Sequence, residues 1–144
     1  MIRKSVAVWK GNGPQGTGSL DMQSGVFKAQ PYSANSRFVS EDGKAGTNPE
    51  ELLGAAHAGC FAMAVSFGLT GAGHPPTELK VTASVDLQKV DAGWGITQIT
   101  LDLEAQVPGI DVAKFTEIAE TAKKGCPISK ALAATPIALN AKLL

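Results

Sequence analysis

The sequence predicts a single α+β domain over residues 1–144, and three observations carry that expectation. An apolar stretch, residues 52–69, lies between strong helix start and stop signals. Two consecutive segments, ELKVTASVDLQKV (78–90) and GITQITLDLEAQV (95–107), alternate apolar and polar residues with a period of two. An amphipathic helical pattern follows them. Helical and strand periodicities in separate blocks point to α+β organisation, and 144 residues can bury a core without disulfides.

Taken in order, residues 2–9 set Ile2, Lys4, Val6 and Val8 against Arg3, Ser5, Ala7 and Trp9, as a strand does. GNGPQGTGS (11–19) is a glycine-rich turn, without the lysine and Ser/Thr that complete a phosphate-binding loop. A short strand pair is expected at 19–22 and 25–29, and SRFVS (36–40) reads as a short strand carrying Arg37. EDGKAGT is a loop. NPEE then opens a helix: Asn48 can cap, Pro49 suits the first helical position, and Glu50 and Glu51 suit the positive end of the dipole. That helix should run to about residue 69 and stop at TGAGHPP.

The two alternating segments, joined by DAGWG, predict a long antiparallel hairpin. Asp111 caps a second helix with Val112, Phe115, Ile118, Ala119 and Ala122 on one face, closing with Lys123, Lys124 and Gly125. CPISKALAA begins a third, short helix with Pro127 at its first position, and TPIALNAKLL is a closing strand.

Thirteen basic residues balance thirteen acidic ones, and no Lys/Arg cluster exceeds Lys123–Lys124. This excludes the overall positive field of a nucleic-acid binder, so no nucleic-acid partner is expected. The N-terminus has no signal-peptide pattern. The 52–69 stretch is long enough to raise a membrane span, but it is mostly alanine and is interrupted by Gly54, His57, Gly59, Ser66 and Gly68. A helix buried in a cytoplasmic protein, with no membrane partner, is the expectation. Lasting disulfides are rare in that compartment, so the two cysteines are expected to be free, catalytic, metal-binding or inert.

Cys126 directly precedes Pro127, at the N-cap of the third helix, where free N–H groups and the dipole favour a thiolate. A cap cysteine with no role is the plain alternative. CPIS also loosely echoes redox motifs of the C-P-x-S type, without the strand–helix context of a thioredoxin fold. Cys60 sits mid-helix, beyond the dipole's help, and would need a cation to be reactive. Arg37, beside Phe38, is the candidate, and Glu50 is the acid a buried arginine needs. Ordinary solvated charges are the alternative for both. His57, at i−3 from Cys60, can be a general base, a ligand or a packing residue. Adding His74 makes two Cys and two His, the count for zinc, but no C-x2-C pair exists and the spacings are poor. Trp9 and Trp94 read as core or interface.

The motifs GTNPEELLGAAHAGCF and KKGCPIS, in that order, resemble the OsmC/Ohr family, osmotically inducible protein C and organic hydroperoxide resistance protein. QPYSANSRF, KVDAGWGITQI and VPGID are similar to the OsmC branch. There Arg37 falls in the S-R-F segment, whereas the Ohr branch takes its arginine from an N-terminal loop. The resemblance covers nearly the full chain. Gly59 stands where relatives often carry alanine or serine, a change that leaves the chemistry intact.

The resemblance implies antiparallel sheets around two central helices in an intertwined homodimer, with each active site at the subunit interface. It implies a peroxidase that reduces organic hydroperoxides to alcohols, with hydrogen peroxide as a further substrate. Cys60 would be the peroxidatic thiol and Cys126 the resolving one. Arg37 would hold Cys60 as thiolate and orient the peroxide, and Glu50 would fix Arg37. The expected partners are an alkyl or lipid hydroperoxide and an external dithiol of the lipoyl type, with no metal or other cofactor. Two other classes stay open: a peroxide-responsive redox sensor or small-ligand-binding stress protein without turnover, and a metal-binding Cys/His module.

Overall fold

The computed structural model describes all residues 1–144, which divide into two compact units, 1–52 and 53–144. The first unit holds a three-stranded antiparallel sheet in the order β1 (Ser5–Lys10), β2 (Thr17–Met22), β3 (Gln30–Ser33). The short helix α1 (Ala34–Phe38) follows it. Trp9 packs on Tyr32 with ring centroids 5.4 Å apart. Gly16 and Gly18 are what permit this: a Cβ on either would lie within 2.6 Å of those rings.

Two N-terminal expectations are corrected. The strand expected at 25–29 is a turn, closed by Gly25 N–H to the Met22 carbonyl, with Gly25 and Ala29 both at positive φ. Asp21 accepts the Ala29 N–H, and pairing resumes only at Gln30. Arg37 lies on a helix and not on a strand, because Ser33 and Ser36 form a reciprocal capping box that starts α1. Ser36 is buried and also donates its hydroxyl to the Ser33 and Thr47 carbonyls.

Helix α2 (Pro49–Gly71) begins as its sequence requires. Asn48 Oδ1 accepts the Glu51 N–H, while the Glu51 carboxylate takes the Thr47 hydroxyl. At its far end the His74 N–H returns to the Leu69 carbonyl, with Gly73 at φ 85°.

In the 53–144 unit, β4 (Glu78–Val90) and β5 (Gly93–Gln106) form the expected long hairpin. Its alternation is literal: Leu79, Val81 and Ala83 turn inward, and Lys80 faces Glu104 across the strands at 3.0 Å on the outer side. One register shift between Asp86 and Leu87 skips Thr97 and pivots the hairpin tip. Then come α3 (Val112–Gly125), α4 (Pro127–Ala131) and β6 (Ile137–Leu143). The antiparallel pairing expected for both sheets holds everywhere except β6, which runs parallel to β5. The α3–α4 crossover carries the chain back to the starting end of β5, which a parallel neighbour requires.

The core of this unit is built from three stripes. Phe61, Val65 and Leu69 sit at i, i+4 and i+8 on α2, Leu101, Leu103 and Ala105 alternate on β5, and Phe115, Ala119 and Ala122 lie on α3. Burying each large member contributes about 1.5–3 kcal/mol. Within this one chain only one face of α2 is buried this way. Met63 and Phe67 on the other side are 60% and 78% exposed. By length and composition alone, α2 would also suffice to cross a membrane.

Candidate active site

Four of the residues singled out in the sequence fall into two pairs, one in each unit. In the 53–144 unit, α2 presents Cys60 near its middle. Cys126 is both the C-cap of α3, its N–H bonded to the Ala122 carbonyl, and the N-cap of α4. Pro127 at the first position of α4 fixes the turn that makes this double role possible. The two sulfurs are 2.8 Å apart and both thiols are free, Cys60 half-buried and Cys126 fully buried. A sulfur–sulfur bond is about 2.0 Å, so closure needs only a sub-ångström approach.

The surroundings shift the two thiols in opposite directions. Burial pushes the Cys60 thiol up, its hydrogen bond with Cys126 pushes it further, and the Ile128 N–H offsets only part of this. Burial acts on Cys126 in the same sense, but hydrogen bonds from Cys60, from Ser129 and from the Ile128 N–H outweigh it and bring that thiol down.

In the 1–52 unit, Arg37 in the last turn of α1 grips Glu50 in the first turn of α2. Nη2 to Oε1 is 2.7 Å and Nε to Oε2 is 3.2 Å, a two-pronged pair that fixes the guanidinium plane. The Glu50 side chain is 11% exposed and that of Arg37 36%, so the cation keeps an open side while its anchor is buried. The guanidinium also lies 4.8 Å over the Phe38 ring. A cavity of about 250 Å³ opens here between Trp9, Tyr32, Arg37, Phe38 and Pro49. Gly13, Ser33 and Ala34 complete its lining, so three of eight residues are aromatic and one is the fixed cation, a setting for an apolar group that ends in a polar or anionic atom.

His57 is fully buried, and its Nε2 lies 2.8 Å from the Ser129 hydroxyl of α4. Its Nδ1 has no partner, and burial holds the imidazole below its usual range, hence neutral. Ser129 is the residue that sequence reading passed over. It lies in CPIS, three residues after Cys126, and nothing in that spacing names His57 as its partner. His74 lies half-buried in the turn after α2, and no three His, Cys, Asp or Glu side chains are grouped to hold a metal ion. Trp9 and Trp94 are 39% and 53% exposed, outside the core.

Comparison with known proteins gives one consistent answer. The family described as OsmC-like protein matches residues 41–142. The chain is 51% identical over 132 residues to the peroxiredoxin OsmC of Escherichia coli strain K12, covering 92% of this chain and 90% of that one. It is 33% identical over 96 residues to the organic hydroperoxide resistance protein of Xanthomonas axonopodis pv. citri, 66% of either chain. Among solved structures, an OsmC-like protein from Vibrio cholerae superposes with a TM-score of 0.75 at 16% identity, covering 98% of this chain and 99% of that one. OhrB of Bacillus subtilis superposes with a TM-score of 0.68 at 23% identity, covering 98% of each. These two likenesses concern the fold.

Proposed function

The chain belongs to the OsmC-like protein family, and on that footing we propose that it is a thiol-dependent peroxidase reducing organic hydroperoxides to alcohols. The observation that carries the proposal is the pair of free thiols 2.8 Å apart at the start of α4. Two sulfurs so placed lie within about an ångström of bonding distance, which supports a disulfide as the cycle's intermediate.

The cycle assigns each residue one task. The Cys60 thiolate attacks the distal peroxide oxygen; an S–O bond forms, the O–O bond breaks, and the alkoxide leaves as alcohol after taking a proton. The Cys126 thiolate then attacks the sulfenic sulfur of Cys60; an S–S bond forms, the S–O bond breaks, and hydroxide leaves as water after taking a proton. An external dithiol, of the lipoyl type by resemblance, returns two electrons by exchange. The cycle as written draws on no metal or prosthetic group.

Arg37 is assigned as the cation that brings Cys60 to its thiolate, and Glu50 as its anchor. What supports such a cation is the direction of the Cys60 thiol in the 53–144 unit, raised by burial and by its hydrogen bond with Cys126. A guanidinium cannot give up its proton in a protein, so it suits that task. We assign the whole chain, 1–144, to one peroxidase domain acting in the cytoplasm, where free thiols persist. A homodimer is part of the proposal. Its support is apolar surface left uncovered: Val6, Val8 and Trp9 along the fully exposed β1, and separately Met63 and Phe67 on α2.

The test is peroxide consumption driven by a dithiol. Many turnovers per chain, lost in Cys60→Ser, are expected; a single oxidation per chain despite ample dithiol would make the protein a sensor.

A further inference from the structure

The chain is neutral overall, yet one cavity of the 53–144 unit gathers three cations. It measures about 380 Å³ and opens where the end of α3, α4 and the first residue of β6 meet. Lys123 and Lys124 come from the last turn of α3, and Lys130 from the last turn of α4. No carboxylate lines it. Lys123 is answered by Glu120 of its own helix at 2.9 Å, but neither Lys124 nor Lys130 takes part in an ion pair. Basic last turns suit the helix dipoles, which explains each helix by itself. It does not explain two such turns converging on one concavity without a counter-charge, where like charges add to a single field.

The rest of the wall says what the counter-charge brings with it. Pro136 and Ile137 supply an apolar side. Thr135, half-buried, lines the cavity with a hydroxyl that has no hydrogen-bond partner in the chain. Ser129 is buried and tied at 2.8 Å to His57 of α2, so its side of the cavity is fixed before any ligand arrives. A volume of about 380 Å³ falls among small-molecule sites, roughly 300–1,000 Å³, and is more than a bare oxyanion fills. The head group follows from the charges. Two unanswered ammonium groups match about two negative charges, which a phosphate monoester carries at neutral pH and a carboxylate does not. Lysine meets phosphate as a point charge, so no planar fork is needed.

We propose that this cavity is a binding site for a small organic phosphate, a phosphate monoester on a compact apolar body. Lys124 and Lys130 hold the phosphate, the Thr135 hydroxyl donates to one of its oxygens, and the body lies against Pro136 and Ile137. The two lysines flank Cys126, where α3 passes into α4, so the ligand bridges the two helices that meet at that thiol. None of the cavity's residues belongs to the apolar surface assigned to the homodimer.

The experiment titrates the full reduced chain at low ionic strength with phenyl phosphate, followed by calorimetry, beside benzoate and inorganic phosphate. Phenyl phosphate is expected to bind about tenfold more tightly than either. Lys124→Gln and Lys130→Gln keep most of the stem and lose the charge. Each is expected to weaken binding about tenfold, the scale of one charge-assisted hydrogen bond. Lys44→Gln, in the loop before α2, is expected to leave it unchanged. Binding kept in full by both cavity variants places the phosphate elsewhere, the Arg37 cavity included, and overturns the proposal. Benzoate binding as tightly as phenyl phosphate overturns the choice of phosphate, and inorganic phosphate doing so marks an adventitious ion only. Capture by vesicles containing phosphatidic acid, without binding of phenyl phosphate, makes the source a lipid surface and overturns the small ligand. Binding as expected in a protein that consumes no peroxide would sink the peroxidase reading and leave this site standing.

Discussion

Arg37 holds Glu50 through two hydrogen bonds in a fork that lysine cannot reproduce, and this geometry sets the first expectation. Arg37→Ala should slow oxidation of Cys60 by about 100-fold, the scale of losing one preorganised charge stabiliser, and Arg37→Lys should recover little of it. Arg3→Ala, at an exposed N-terminal site, serves as the control and should leave the rate unchanged. Stopped-flow thiol oxidation reads all three. Cys126→Ser should permit one oxidation of Cys60 and then over-oxidation, seen by mass as added oxygens. A second expectation concerns pH. His57 is buried and held below its usual range, whereas in the unfolded chain it takes a proton near pH 6.5. Below that pH the unfolded state binds more protons than the folded one, so stability falls as pH falls. Replacing His57 with Gln should remove that part of the acid loss, as measured by thermal melts on either side of neutrality. At this scale the roles given to Cys60, Cys126, Arg37 and Glu50 came from the family resemblance and not from spacing, and they remain proposals beside two observed contacts, Cys60 with Cys126 and Arg37 with Glu50. Ser129 was not legible as a partner of His57, because nothing in one dimension says which serine a buried imidazole will meet 72 residues away.

Helix α2 shows how element and residue are coupled. Gly59 has open space where a Cβ would go, while a Cβ on Gly54 would lie 3.1 Å from the Ala83 carbonyl of β4. Gly59→Ala should therefore gain about 0.5–1 kcal/mol from helix propensity, and Gly54→Ala should lose stability because a strand backbone must move. Chemical denaturation separates the two signs. Phe115→Ala, which empties a fully buried site on α3, should cost about 3–5 kcal/mol. The elements that were legible are those whose pattern is long or whose cap is local: Asn48 and Pro49 for α2, Asp111 for α3, Pro127 for α4, and the alternation of β4 and β5. Those misread are short. SRFVS has strand-like residues, yet a Ser33–Ser36 capping box outweighs their propensity and makes α1. The 25–29 stretch fails as a strand because Gly25 and Ala29 adopt positive φ, which no apolar count reveals. The parallel β6 was equally hidden, since pairing direction is decided by the crossover and not by the strand's own residues.

At the scale of the molecule, the exposed apolar surface leads to a prediction about assembly. Every residue of β1 is exposed, with Val6 and Val8 among them, and Phe67 of α2 is 78% exposed. Apolar surface of this kind marks association sites. Phe67→Glu and Val8→Glu should each weaken the homodimer, read as a shift toward the monomer in sedimentation velocity; a wild-type chain sedimenting as a monomer would contradict the proposed assembly. Net charge and composition bear only on broad classes, and it was the order of separated motifs that pointed to the family. The central claim concerns turnover, and one assay addresses it most directly: dithiol-driven consumption of cumene hydroperoxide beside hydrogen peroxide, with Cys60→Ser as control. The account predicts many turnovers per chain, faster with the organic peroxide and abolished in the variant. Equal consumption by Cys60→Ser and wild type, or no turnover of either peroxide with ample dithiol, would contradict it.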